Sequence, residues 1–510
     1  MSAPSIDRAA FAASVAILVA VCLPLAAFPE SGGRVLGAAY EFIAREFGAL
    51  YLAAGLGAIG LLAWLACGRY GTVLLGVPGD RPEFSTASWA TMLFCSGIGA
   101  GLLFWAPVEW AYYYQSPPFA TAPRTPAAAD WASTYGIFHW GIVAWCFYCL
   151  PAVAIAYPYY TRRLPYLRFS TSCHYLVGAA AETRRGRFID LLFMISLIGG
   201  AGSSLGFSTP MIAACIARLT GTDTGFGLEV LSLLLCVALF AVSVWFGLRK
   251  GIKRLSDINL WLAFALLAFV FFAGPTVFLL KASLNSIGVM LQNFIRMSTW
   301  TDAYSDSGFV ESWTVFYWAW WIAYGPFVGL FVTRISRGRT IRQVILGMVG
   351  YGSLGCALFF MILGNYGLHL ELAGSVSVTG ILQSDGQPAA IVSVLDALPG
   401  AWPAIAVFTL VSIIFSATTY DSASYILASS ATRDLRAGDE PARWHRLFWA
   451  MALAALPLTL MFIGGLRVIQ TATLVVSLPL LVVGVLMSWS LVRQLASDRR
   501  EAASGARDAG

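Results

Sequence analysis

The residues most able to do chemistry in this chain are aromatic. The run Trp313-Thr314-Val315-Phe316-Tyr317-Trp318-Ala319-Trp320-Trp321-Ile322-Ala323-Tyr324 is almost all ring and apolar side chain. At about 100° per residue, Trp313, Tyr317, Trp320 and Tyr324 fall within roughly 60° of one another, with Trp321 beside them. Aromatic belts at a membrane–water interface account for Trp313, but Tyr324 lies about 16 Å further along the same helix. A second set, His139, Trp140, Trp145 and Tyr148, also sits inside an apolar run. Ring faces attract cations, each contact contributing about 2 kcal/mol when dry, and the natural client is a quaternary ammonium that donates no hydrogen bonds. The competing role for such rings is plain core packing.

Two further motifs bear on what a cation box would hold. Gly97-Ile98-Gly99-Ala100-Gly101 places three glycines at alternate positions, each weakening a helix by about 1 kcal/mol relative to Ala. Unwound backbone within a bilayer is tolerated where it lines a cavity, and its amides can meet a carboxylate. Gly325-Pro326 with Gly329 looks like a second interruption, since proline removes a helical hydrogen bond. The glycine segment has no Asp or Glu, and Glu109 lies two turns on. The expected ligand is therefore a zwitterion, its ammonium among the rings and its carboxylate near Gly97, Gly99 and Gly101.

These motifs lie in an unusually apolar chain. Of 510 residues, 58% are hydrophobic and 11% charged, and the mean hydropathy is +0.74. Soluble domains carry roughly twice that charged fraction, so a soluble enzyme and a disordered regulator are excluded. The reading is an all-α polytopic membrane protein. Apolar runs predict twelve transmembrane helices near 9–28, 48–67, 87–108, 135–157, 189–216, 227–248, 258–280, 313–333, 343–364, 402–430, 447–465 and 469–492. The first reads as a retained helix and not a cleaved signal, lacking a small-residue cleavage pattern.

Even-numbered connections are basic: Arg162, Arg163, Arg168, Arg184, Arg185 and Arg187 follow span four, Arg249, Lys250, Lys253 and Arg254 span six, Arg334, Arg337, Arg339 and Arg342 span eight, and Arg433, Arg436, Arg443 and Arg446 span ten. The stretch from Asn365 to Gly400 has no Lys or Arg. The positive-inside rule then puts both termini in the cytoplasm, and the net charge of +6 reports orientation and not nucleic acid. The interrupted spans three and eight stand five apart, as in an inverted repeat of spans 3–7 and 8–12. The predicted organisation is a short tail (1–8), two peripheral helices (9–86), a first five-helix repeat (87–280), a periplasmic amphipathic connector (281–312), a second repeat (313–492) and a short cytoplasmic tail (493–510). The nine cysteines are scattered in apolar runs, so Cys146-x-x-Cys149 is read as inert.

The run from Trp313 to Arg342, with W-x-W-W, P-F-V-G and R-I-S-R-G-R-T-I-R, closely resembles the signature of the betaine/choline/carnitine transporter family. The glycine motif, His139-Trp140 with Trp145 and Tyr148, Gly251 to Ser256 and Asp421-Ser422 extend the likeness over roughly 40–490. The resemblance implies a leucine-transporter-like fold, a homotrimer in a bacterial-type inner membrane, and carriage of trimethylammonium compounds. It implies an ammonium box of Trp140, Trp145, Tyr148 and Trp321, with Trp313, Trp320 and Tyr324 lining the route. It also implies a sodium site from carbonyls of Cys95, Ile98 and Phe415 with hydroxyls of Thr418 and Thr419, hard oxygens suited to a small cation; back-bonding of those hydroxyls to their own helix is the alternative. A second family sodium site is expected to be lost, because Leu197 and Ala201 replace its threonines. Sodium-independent exchangers carry an Arg and a Met where this chain has Leu260 and Val328. Asp421 is expected to anchor span ten, and the short tail predicts no strong osmotic activation.

The expected function is thus sodium-coupled transport of a betaine-like or carnitine-like zwitterion by alternating access, with no cofactor beyond the coupling ion. Sodium-independent substrate/product exchange and proton-coupled choline uptake are the alternatives. An enzyme is disfavoured, because the four His are far apart in the chain and no G-x-S-x-G or H-E-x-x-H is present. A channel is disfavoured by the bulk of the rings.

Overall fold

Backbone polar groups in lipid must be satisfied internally, so a chain this apolar folds as helices. The computed structural model describes residues 5–96, 99–165, 167–178, 183–246, 249–433, 440–463 and 466–508, and nearly all of them are helical. Ten helices among them are long and apolar enough to cross a membrane. The other two predicted spans are also helical: span six is Phe226–Phe246, and span three is divided into Thr86–Ser96 and Ala100–Trp105.

Local signals set the helix starts. Thr125 accepts a hydrogen bond from the Ala128 amide ahead of Pro126, Thr183 does so for Gly186 at the start of Arg184–Thr220, and Thr340 with Gln343 forms a reciprocal capping box. Spans four and eight form the centre of the bundle: 94% and 83% of their most apolar stretches are buried, against 11% for Arg8–Ala27. Span one is the least buried of the ten.

Both termini lie at the end that carries the basic connections. Ser5–Ile6 pairs antiparallel with Thr432–Arg433, and Asp7 lies 3.2 Å from Arg433 and 3.8 Å from Arg187. Asp498 accepts from Arg162 at 3.0 Å. At the opposite end Arg45 pairs with Asp306 and Arg218 with Asp396.

Four expectations need correction. Span eight is not broken at Gly325-Pro326: Phe316–Ile335 runs through the proline. Its glycines serve packing instead, because a Cβ at Gly325 would lie 2.9 Å from the Phe147 carbonyl and one at Gly329 2.9 Å from the Ala152 amide, both on span four. The second interruption is in span four itself, between Pro126–His139 and Ile142–Ala156. Span seven ends at Ala273, and Pro275, which has no amide to continue a helix, opens a separate helix Thr276–Thr299 earlier than the expected connector. Finally, the last span continues as one helix, Leu466–Asp508, where a separate tail from 493 was expected.

Candidate binding site

Two interrupted helices meet at the centre of the bundle. Between the halves of span three, Gly99 is extended (φ −154°, ψ 179°); Gly97 and Ile98 lie outside the described residues. In span four, Trp140 and Gly141 leave helical geometry. A Cβ at Gly141 would fall 2.4 Å from the Ile137 carbonyl, so only glycine allows this break. The His139 carbonyl at the break accepts the indole N–H of Trp321 at 2.9 Å.

Around this junction is a cavity of about 870 Å³. Its walls include Trp140, Trp145, Tyr148, Trp320, Trp321 and Tyr324, together with Gly99 and Gly101. The rings of Trp140 and Trp321 are 4.8 Å apart at 69°, Tyr148 and Trp321 5.7 Å at 81°, and Trp145 and Tyr148 5.5 Å at 88°. Steeply inclined rings present faces and edges to a common space, while Trp320 lies flat along Trp321 at 10°.

Glycines make room for these rings. A Cβ at Gly352 would lie 2.2 Å from the Trp145 ring, and one at Gly101 3.3 Å from Trp320.

Trp313 does not line the cavity. It packs on Tyr112, Tyr113 and Trp105, at 4.9, 5.0 and 5.9 Å. Trp313 still stacks on Tyr317 at 6.5 Å and 27°, and Tyr317 is likewise off the lining; the physical reason is that the buried aromatic layer ends the cavity before it reaches this level of span eight.

Behind the box is a buried polar cluster that sequence reasoning passed over. The Glu109 carboxylate accepts from the Trp140 indole at 3.1 Å, from the Tyr113 hydroxyl at 2.6 Å and from the Tyr317 hydroxyl at 2.5 Å. His139 continues it, with Nδ1 3.0 Å from the Tyr113 hydroxyl and Nε2 3.1 Å from Thr314. Glu109 is fully buried and outside the cavity lining; it orients Trp140 from behind. The available signal was a carboxylate in an apolar stretch, which is expensive without partners. For Gly352 the sequence carries no signal, since its neighbour Trp145 is remote in the chain.

Of the expected sodium ligands, Cys95, Phe415, Thr418 and Thr419 all line the same cavity, and Ile98 lies outside the described residues. Both threonine hydroxyls donate to the Phe415 carbonyl at 2.9 Å. Their protons are therefore directed into the helix, and oxygen lone pairs remain for a cation. Leu260 and Val328 are also on the lining.

The cavity is closed on one side and reaches the surface on the other. Trp105, Phe207, Phe316 and Tyr317 pack into a fully buried layer beside the box. The lining extends the other way to Arg334, Asp421, Tyr425 and Arg446, where Arg334 is exposed. Asp421 pairs with Arg446 at 2.6 Å, tying span ten to span eleven.

The sequence matches the family described as BCCT, betaine/carnitine/choline family transporter, over residues 9–500. It is 37% identical over 442 residues to an uncharacterized transporter, YeaV, of Escherichia coli K12, covering 86% of this chain and 92% of that protein. It is 36% identical over 435 residues to a carnitine transporter of Acinetobacter baumannii, covering 85% and 79%. Among solved structures, a substrate-bound, outward-open Na+-coupled sialic acid symporter aligns with 89% of this chain and 83% of its own, at 13% identity and a TM-score of 0.41.

Proposed function

Because this chain belongs to the betaine/carnitine/choline transporter family, we propose that it carries a zwitterionic trimethylammonium compound, betaine-like or carnitine-like, coupled to sodium. The observation that carries this reading is the set of four steeply inclined rings, Trp140, Trp145, Tyr148 and Trp321, on one cavity. Desolvated ring faces reward a methylated ammonium at about 2 kcal/mol each. The box itself contributes no carboxylate, which favours a ligand that brings its own negative charge.

Transport proceeds by alternating access: the layer beside the box opens as the Arg334 end closes, around a fixed central site. Sodium enters as a co-transported ion at Phe415, Thr418 and Thr419, residues that line the ligand's cavity. By the positive-inside rule the Arg334 end faces the cytoplasm, with both termini, in a bacterial-type inner membrane. The working unit is a homotrimer.

The test is uptake of radiolabelled carnitine and glycine betaine into proteoliposomes, with and without an inward sodium gradient. Saturable uptake driven by sodium is expected. Brisk counterflow of either compound in sodium-free vesicles rejects obligatory sodium coupling, and accumulation of neither rejects the ligand class.

A further inference from the structure

At the end of the cavity that reaches the surface, two guanidinium groups stand on one ring. Arg334, from the end of span eight, lies 4.9 Å from the Tyr425 ring centroid, and Arg446, from the start of span eleven, 5.3 Å. Both line the cavity that holds the aromatic box. Arg446 is 8% exposed. One of its terminal nitrogens is committed to Asp421 at 2.6 Å, but its Nε has no hydrogen-bond partner among the described residues. Arg334 reaches the Tyr425 hydroxyl only at 3.5 Å and has no carboxylate within ion-pair distance among the described residues.

A buried N–H donor without an acceptor costs free energy, and a guanidinium is a planar fork matched to a carboxylate. Arg334, exposed on the lining and without a carboxylate in ion-pair distance among the described residues, offers such a fork to the cavity, and the charge of Arg446 stands beside it on the same ring. Tyr425 holds the two cations at a common station, and Asp421 holds one terminal nitrogen of Arg446. Within the box, the indole N–H groups of Trp140 and Trp321 are spent on Glu109 and on the His139 carbonyl.

We infer that Arg334 and Arg446 form a carboxylate-binding subsite at the mouth of the cavity. It is a separate station for the anionic end of the transported zwitterion on its way between the aromatic box and the water, because Arg334 stands about 20 Å along the same helix from Trp321. The identity of the ligand rests on the zwitterion reading above, whereas the guanidinium pair does not. The subsite adds a selectivity step, since a cation lacking a carboxylate gains nothing there.

The experiment is arginine-selective modification of the full-length protein by phenylglyoxal, quantified residue by residue by mass spectrometry. Butyrate serves as the probe, because it carries the carboxylate without the ammonium. Sodium chloride at equal ionic strength is the reference, and the exposed Arg185 is the internal control. Butyrate is expected to slow modification of Arg334 roughly threefold while Arg185 is unaffected. The same protection is expected in Trp321→Ala, where the box is broken. In Arg446→Gln, which removes the second charge from the Tyr425 ring, protection is expected to fall. Equal slowing by chloride, equal slowing of Arg185, loss of protection in Trp321→Ala, or full protection in Arg446→Gln overturns the subsite. A failure of the box reading shows elsewhere, as absent carnitine and betaine uptake.

Discussion

Trp321 seals the break in span four: its indole N–H donates to the His139 carbonyl at 2.9 Å while its ring stands 4.8 Å from that of Trp140, the next residue. One side chain thus supplies a wall of the box and satisfies the backbone acceptor that the break releases. The two roles separate by substitution. Trp321→Phe keeps a ring face and loses the donor; Trp321→Ala loses both. Loss of one dry cation–π contact, about 2 kcal/mol, corresponds to roughly thirtyfold in affinity. Trp321→Ala is expected to abolish saturable uptake of a trimethylammonium zwitterion, and Trp321→Phe to retain it at reduced affinity. Tryptophan-fluorescence titration of both variants reads this, and unchanged affinity in Trp321→Ala removes the residue from the site.

Glu109 is expected to set the affinity of a site it does not touch. Replacing it by Ala strands the buried donors of Trp140 and Tyr317, at about 1–3 kcal/mol for each donor left unpaired, while the Tyr113 hydroxyl keeps His139 Nδ1 at 3.0 Å. Glu109→Gln retains one acceptor oxygen and fills the same volume. The order wild type, then Gln, then Ala is expected in both thermal midpoint and ligand affinity. A Glu109→Ala protein with wild-type affinity shows that Trp140 keeps its place without the carboxylate.

Much of this arrangement was legible in the chain because membrane helices must be long and apolar, and because Trp140, Trp145 and Tyr324 are too deep in their runs for interfacial belts. What was not legible depended on contacts across helices. Pro326 looked like a break, yet losing one amide did not stop a helix whose neighbouring glycines press against span four. Gly141 is a lone glycine that the sequence does not single out, and the break is there. Trp313 followed the helical wheel and stacks on Tyr317, but the cavity ends before both, which the wheel does not report. The partners of Glu109 are drawn from two other helices and a short segment of its own, and no periodicity reports them.

Gly352 offers a test of geometry without altering any aromatic residue. A methyl there would overlap the Trp145 ring at 2.2 Å, whereas at Gly350, two residues away, a Cβ meets nothing within 4 Å. Overpacking of this kind costs about 1–3 kcal/mol and moves side chains off their rotamers. Gly352→Ala is expected to weaken ligand binding by roughly tenfold, while Gly350→Ala binds as wild type. Equal binding by the two variants means that Trp145 is not a wall of the site.

Asp7 ties the N-terminus to the basic end of the bundle, and its charge carries a pH signature. Burial pushes its carboxyl upward, but hydrogen bonds from Arg433 and the Ala10 amide, with the charges of Arg433 and Arg187, hold it below the ordinary aspartate range. A depressed folded-state pKa means that the stabilisation is fully present above about pH 4, the unfolded value, and is lost as pH falls through the folded one. The thermal midpoint of Asp7→Asn is therefore expected to fall below wild type at neutral pH, with the difference shrinking below about pH 4. A difference that grows on acidification contradicts the assigned direction.

Thr418 and Thr419 decide between a structural and an ion-binding role for the same hydroxyls. Each donates its proton to the Phe415 carbonyl at 2.9 Å, a local back-bond that by itself would explain a membrane-helix threonine. That role is satisfied equally by serine and is dispensable in valine, whose helix keeps its main-chain bonds. Ion binding makes a different demand, because the oxygen must also present lone pairs to sodium alongside the carbonyl. Thr418→Ser with Thr419→Ser is expected to keep the sodium dependence of uptake, and the double valine variant to raise the sodium concentration for half-maximal uptake by about tenfold or more. Ligand binding measured without sodium should be the same in both, since neither residue belongs to the box. If the valine variant retains the wild-type sodium dependence, the hydroxyls serve the helix alone and the coupling ion binds elsewhere.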